Sequence, residues 1–345
     1  MEKGGRSKKF VEFAPWNVSL ERRLQTFSVL FFLTIFLLLP VGVVGYVWVC
    51  FYNVWCLAVL VIYCAWWLIF DLNVPKRGSR PWKWFRNLWI WRYMANYFPV
   101  KVIKTAELPS DKNYIVGCHP HGILSISHFC NFGTNATRFE EIFPGIKPQL
   151  VTLSGQFMLP FRRELVIWAG GISSDADSIE YLLNDTNKGR AAAIVLGGAE
   201  EALEARADNY DLILSRRKGF CRIALKTGAS LVPIYSFGEN LAYNQVQNAK
   251  GSKLRQFQTK FKDITGFSPP IFHGRGIFQY TYGFVPFRNP INTVIGAPIH
   301  TKKNAKPTTE QIDALHAKYC EALIKLFDAH KTNYNIPDQA KLNIL

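Results

Sequence analysis

The sequence predicts an α/β fold, a mostly parallel sheet flanked by helices, preceded by an N-terminal transmembrane helical hairpin. Two observations carry the prediction. Beyond residue 107, short apolar runs alternate with helical patterns, as strand–helix–strand units do. Before it, no charged residue occurs from Leu24 to Phe70, a stretch about twice the roughly 20 residues that one bilayer crossing needs.

Taken in order, residues 1–23 read as a cytosolic tail and 24–70 as the hairpin. Pro40, Gly42 and Gly45 are placed to kink its first segment, and Asn53 is a polar tip before the second, "VWCLAVLVIYCAWWLIF". A cleaved signal peptide would have an apolar core of only about 7 to 15 residues, so the anchor is expected to stay. Lys3, Arg6, Lys8, Lys9, Arg22 and Arg23 precede the span, and Lys76, Arg77, Arg80, Lys83 and Arg86 follow it, which puts both flanks in the cytosol. Residues 71–106 are basic and aromatic, with Trp82, Trp84, Phe85, Trp89, Trp91, Tyr93, Tyr97 and Phe98 among the cations. Such a mixture also suits single-stranded nucleic acid. Directly after a hairpin it is read as a membrane-interface segment, with membrane lipids and no nucleic acid as the partner.

Residues 107–345 are expected to form the catalytic domain. "NYIVG", "QLVTLS", "AAAIVLGG", "YDLILS" and "SLVPIYSFG" read as buried strands, "DADSIEYLLND" and "KGFCRIALKTG" as helices, the second closed by Gly228. Pro307 and a capping box from Thr308 to Gln311 open a long C-terminal helix with Ile312, Leu315, Tyr319, Leu323 and Leu326 on one face. Residues 241–270 form a polar excursion to which the sequence assigns no role.

The formal charge of +16 calls for an acidic partner: an anionic membrane, a phosphate-bearing substrate or nucleic acid. Seven cysteines form no CxxC and no paired spacing, so neither a disulfide framework nor a zinc site is indicated. Asn17, Asn135 and Asn184 begin sequons that are silent in the cytosol.

The chemistry concentrates in "GCHPHGILS", residues 117–125. Extended backbone would put His119 and His121 on one side, provided strand geometry persists through Pro120. Three readings compete. The histidines are two of three zinc ligands, with His128 as the third, although no further ligand set completes a metal motif. They are satisfied polar residues of a core. Or one of them is a general base, since imidazole titrates near neutrality and takes a proton from a hydroxyl. No G-x-S-x-G elbow occurs, and Cys118 beside His119 would point to the opposite face, so a nucleophilic serine or Cys–His pair is disfavoured. Downstream, "LGGAEEALEA" carries Glu200, Glu201 and Glu204 into a helix, either as acids complementing the macrodipole or with one carboxylate turned to an imidazole. Arg216, Arg217 and Lys218 stand at the mouth of the next helix, as a phosphate site or as a solvated face. "HGRG", 273–276, is a weaker signal.

From about Tyr97 onward the chain resembles the type-2 diacylglycerol acyltransferase family, which also includes monoacylglycerol acyltransferases and wax synthases. The segments stand in family order: "YFP" at 97–99, "HPHG" at 119–122, "PFRRE" at 160–164, "GGAEEAL" at 197–203, "RKGF" at 217–220, "VPIYSFGEN" at 232–240, "HGRG" at 273–276 and "GAPI" at 296–299. Plant members have EPHS in place of HPHG, which singles out His121 as the base. Aligned by its glycines, the family glutamate falls on Glu201, and the arginine of P-x-x-R-E falls on Arg163. The related glycerophospholipid acyltransferases use H-x-x-x-x-D, whereas here Leu124 and Ile126 stand five residues after His119 and His121. A distant carboxylate, Glu201, is therefore expected to hold the imidazole.

The resemblance implies a glycerolipid-acyltransferase-like fold and transfer of an acyl group from acyl-CoA to diacylglycerol at the endoplasmic reticulum membrane or a lipid droplet, with monoacylglycerol or a fatty alcohol as alternative acceptors. Without catalysis, the same features would serve a lipid-binding or droplet protein. Catalytic roles fall to His121, His119 and Glu201, and contacts with substrate or CoA to Gly122, Arg163, Arg217, Lys218, Gly219, Asn240 and Arg275. No metal or cofactor is expected, acyl-CoA being a substrate.

Overall fold

The computed structural model describes residues 11–246, 251–265 and 270–345. Its strands are β1 Lys101–Lys104, β2 Tyr114–His119, β3 Lys147–Thr152, β4 Ile172–Ser173, β5 Arg190–Val195, β6 Asp211–Leu212, β7 Ser230–Phe237, β8 Asn244–Gln245, β9 Phe272–His273, β10 Asn292–Ile295 and β11 Asn343–Ile344. Seven of them form one sheet in the order β1-β10-β7-β2-β5-β3-β4. All neighbours are parallel except β10 and β7. Every residue of β2 and β7 is buried, the mark of central strands covered on both faces. One face packs Ile115, Leu231, Val294 and Tyr235 against the helices Gly219–Thr227 and Thr309–His330; the other gathers Tyr114, Val116, Phe132, Phe139 and Ile295.

Gly228 closes the first of those helices at φ +75°, where a residue without Cβ is unstrained, and Thr308 and Gln311 form the capping box that opens the second. The run "YDLILS" departs from expectation. Only Asp211 and Leu212 are extended, pairing with β11 outside the main sheet, because β5 and β7 already have both edges filled. The polar excursion holds β8, paired with β9, and a helix Lys253–Thr265; positions 247–250 and 266–269 lie outside the described residues.

Two N-terminal spans, Leu20–Cys50 and Val54–Lys76, are long and apolar enough to cross a membrane. Only 28% and 11% of their most apolar stretches are buried within the chain, so they are not core helices of a soluble domain. Asn53 caps the second, accepting from the N–H groups of Trp55 and Cys56. The first is interrupted at Thr34–Leu38, one turn before Pro40, by a π-helical turn. Pro40 has no N–H to give the Phe36 carbonyl, and the Leu39 N–H turns back to Thr34, which deprives the carbonyls of Ile35 and Phe36 of their i+4 donors. Gly42 and Gly45 pass through helix without a break.

The basic and aromatic segment divides. Trp91, Tyr97 and Phe98 are fully buried, and the helix Trp89–Tyr97 packs on Leu20–Leu33. Trp82, Trp84 and Trp89 remain exposed on the outside. Arg86 is buried too, donating to the carbonyls of Phe132 and Ala169.

Candidate active site

Parallel strands leave a crevice at their carboxyl ends, and four of them deliver residues there: β2 the HPHG turn, β3 Thr152 and Leu153, β5 the two glycines before Glu201, and β7 Glu239. Strand geometry ends at His119, whose ring meets Tyr319 in the core while His121 borders a cavity, so the two imidazoles do not share a face.

His119 points into the core. Its Nε2 lies 3.1 Å from the Tyr319 hydroxyl, which donates to the Gly117 carbonyl at 3.2 Å. With that proton committed, the hydroxyl accepts from Nε2–H, and Nδ1 keeps a buried lone pair without a partner among the described residues. Burial, aided by neighbouring His128, pushes the ring down to about 3, so it is neutral at any physiological pH. His128 is likewise pushed down to about 4 by burial and bonds the Pro120 carbonyl through Nε2 at 2.9 Å. Among the described residues, no three histidines, cysteines or acids are grouped as a metal site requires.

His121 faces the other way. Its Nδ1–H donates to the Gly122 carbonyl at 2.8 Å, which fixes the tautomer and leaves the Nε2 lone pair open. The ring is half-buried and borders a cavity of about 310 Å³. Surrounding protein lowers its pKa; the Gly122 bond and nearby Glu239 pull the other way, and burial prevails.

Two carboxylates brace the turn. Glu201, buried, accepts the His121 main-chain N–H on Oε1 at 2.7 Å and the Ile213 N–H on Oε2 at 3.0 Å. The expectation that it holds the imidazole is corrected here: it holds the backbone, because the ring turns away toward the cavity. Burial raises Glu201 to about 7 against those two donors. Gly197 makes room, since a Cβ there would lie 2.1 Å from Oε2. Glu239, also buried, accepts from the N–H groups of Ile126 and Ser127 at 2.7 and 3.0 Å. Gly122, at φ +63°, packs so closely that its Cβ would meet Glu239 Cγ at 2.7 Å.

The cavity runs from His121 and Ser125 past Phe129, Trp91 and Leu165 to Ile35, Phe36 and Leu37 of the first apolar span, with Gln156 and Arg162 as polar points in its wall. An apolar cavity joining a tautomer-fixed imidazole to a membrane helix suits a lipid with one reacting polar group. A polar depression of about 270 Å³ between Asp111 and His300 lies at the opposite strand ends and holds none of the candidate residues.

Comparison with known proteins settles the family. A model of the diacylglycerol acyltransferase family matches residues 48–345. The chain belongs to the diacylglycerol acyltransferase family. A bovine 2-acylglycerol O-acyltransferase 1 is 46% identical over 96% of this chain and 98% of its own, and human diacylglycerol O-acyltransferase 2 is 45% identical over 94% and 84%. A solved 1-acyl-sn-glycerophosphate acyltransferase from Thermotoga maritima aligns over 90% of this chain and 96% of its own at 11% identity and a TM-score of 0.41. The chain is thus an acyltransferase.

Within this acyltransferase, other family segments prove to be scaffold. Arg163 is wholly buried, paired with Asp71 at 2.8 Å and Glu164 at 2.5 Å and lying over Trp67. It locks the end of the second apolar span onto the α/β part of the chain and is sealed from any CoA phosphate. Arg275 is buried between Tyr97, Tyr280 and Thr26, outside the cavity. Asn240 donates weakly to the Asn209 carbonyl at 3.5 Å, its Oδ1 buried without a partner. Arg217 is part-exposed near Glu200, Lys218 pairs with exposed Asp313 at 2.8 Å, and Gly219 borders open space. These last three can meet an anion.

Glu239, Tyr319 and Arg162 escaped the sequence reading. An acid directly after Gly238 at a buried strand end was a usable signal for Glu239. Tyr319 looked like one more position of an apolar face, and nothing local sets Arg162 apart from Arg163.

Proposed function

We propose that this acyltransferase moves a fatty acyl group from acyl-CoA to the free hydroxyl of diacylglycerol, with His121 as general base. The observation that carries the reading is the His121 tautomer: Nδ1–H is held by the Gly122 carbonyl, and Nε2 borders the apolar cavity. Nε2 takes the hydroxyl proton as the oxygen attacks the thioester carbonyl; the carbon–sulfur bond breaks, and the departing thiolate receives the proton from the imidazolium. No acyl-enzyme, metal or cofactor enters the scheme. Cys118, fully buried with its thiol pushed well above its ordinary pKa, is unsuited to act as a nucleophile.

Glu201 and Glu239 position the turn, and His119 ties its root to the C-terminal helix; Arg217, Lys218 and the open N-terminus at Gly219 supply donors for CoA phosphates. Residues 107–345 are the catalytic domain in a glycerolipid-acyltransferase-like fold, and the hairpin anchors it with both flanks on the cytosolic side of the endoplasmic reticulum. Monoacylglycerol is the second acceptor, because relatives named for either acceptor are equally similar.

The test is purified protein with labelled oleoyl-CoA and a panel of diacylglycerol, monoacylglycerol and fatty alcohol. His121→Ala is expected to lose roughly 10²- to 10⁴-fold in turnover while staying folded and membrane-bound. Near wild-type transfer by that variant removes His121 as base.

A further inference from the structure

Arg162 stands in the cavity wall with a charge that nothing nearby neutralises. It is buried, and among the described residues no carboxylate lies within ion-pair distance, whereas neighbouring Arg163 has two. Its bonds all go to neutral groups: Nε donates to Gln156 Oε1 at 2.8 Å, and Nη1 to the carbonyls of Phe36 at 2.7 Å and Ile35 at 3.3 Å. These are the two carbonyls that Pro40 and the π-turn deprive of their i+4 donors. The Phe36 ring lies 5.3 Å from the guanidinium carbon. Nη2 bonds nothing among the described residues, yet it is not among the sealed polar atoms, so it reaches open space along a residue that lines the cavity.

Burying a cation without a counter-charge is strongly unfavourable. The residue just before it, Phe161, is held at φ +62°, a region that bulky side chains avoid. A neutral cap would have satisfied the helix carbonyls, so the charge calls for a further acceptor.

We propose that Arg162 forms a subsite for an ester carbonyl of the glyceride acceptor: Nη2–H donates to the carbonyl of a chain already on glycerol while the free hydroxyl meets His121. This deepens the proposed glyceride acylation and rests on it. An ester carbonyl accepts a charged hydrogen bond without bringing charge of its own into an apolar cavity, whereas a long-chain alcohol offers Nη2 nothing.

The test pairs the better glyceride acceptor with its alkyl ether analogue, which keeps the hydroxyl and chains but lacks the carbonyls, using full-length protein in nanodiscs with oleoyl-CoA. Wild type should favour ester over ether by roughly 10- to 100-fold in kcat/KM, the range for one hydrogen bond to a charged donor. In Arg162→Met the ratio should fall to near one through a raised KM for the ester. Pro40→Ala returns an N–H to the Phe36 carbonyl, so Pro40→Ala/Arg162→Met repairs the helix without restoring the preference. Arg162→Lys, which keeps charge but not the fork, should lose several-fold of the ratio and serves if the methionine variant does not accumulate. Equal use of ester and ether by wild type, or return of the preference in the double variant, overturns the subsite. His121→Ala lowers both acceptors together and leaves the ratio intact, so loss of the base reading is visible separately.

Discussion

At the scale of single residues, the proposed role of His121 as base predicts the acid limb of catalysis. Burial lowers its pKa, so turnover should rise through a midpoint below the ordinary 6.5 and stay flat above it. A kcat–pH profile with its acid midpoint at 7 or higher would contradict this environment. Glu201 behaves oppositely. Its pKa is raised from 4.5 to about 7, so the stability tied to its protonated form is complete below pH 4.5 and is lost as pH climbs to 7. Glu201→Gln removes that slope but turns an amide donor toward one of the two N–H groups, at a cost of about 1–3 kcal/mol. Thermal midpoints between pH 4.5 and 7.5 should show a lower but flatter curve. The acid midpoint of kcat should stay in place, since Glu201 bonds backbone and not ring.

At the scale of elements, β2 and the C-terminal helix meet at one glycine. A Cβ on Gly117 would lie 1.9 Å from the Tyr319 hydroxyl and 2.9 Å from Leu196 Cδ1. Gly117→Ala should therefore force the helix off the strand, lower stability by about 1–3 kcal/mol and displace the root of the HPHG turn. Tyr319→Phe in the same background relieves only the hydroxyl clash, so it should recover part of the thermal midpoint. Full recovery would mean that Leu196 yields freely. The elements that carry most of this were legible: β2, β3, β5 and β7 follow from buried apolar runs, and the helices Gly219–Thr227 and Thr309–His330 from Gly228 and the Thr308 box. The short strands β1, β4 and β10 were not, because runs of two to four residues carry no period to read.

At the scale of the molecule, the second apolar span and the α/β part of the chain are joined by an ionic knot: Arg80 and Arg163 against Asp71 and Glu164, with Tyr63 donating to Glu164 at 2.9 Å. Arg163→Met leaves Asp71 buried beside a single, part-exposed cation. It should cost about 3–5 kcal/mol, seen as reduced accumulation and an earlier melt, while surviving enzyme keeps its KM for acyl-CoA. A raised KM at normal stability would return Arg163 to the substrate. The hairpin itself is tested by tags at residues 1 and 345, both of which should be cleaved by protease added to intact microsomes; protection of one end requires an odd number of crossings.

By itself, the sequence determined the charge-free double span, the alternation that makes a parallel sheet, and the HPHG turn as the candidate site, because each rests on local spacing within a few residues. Only the tertiary structure decided which way each imidazole points, that Glu201 grips backbone while unnoticed Glu239 supports the other side of the turn, and that two adjacent arginines part, Arg163 into an ionic knot and Arg162 into the cavity wall. The physical reason is the same in each case. A side chain's partner is set by distances across the fold, from residue 121 to 201, 126 to 239 or 36 to 162, and no local period encodes them.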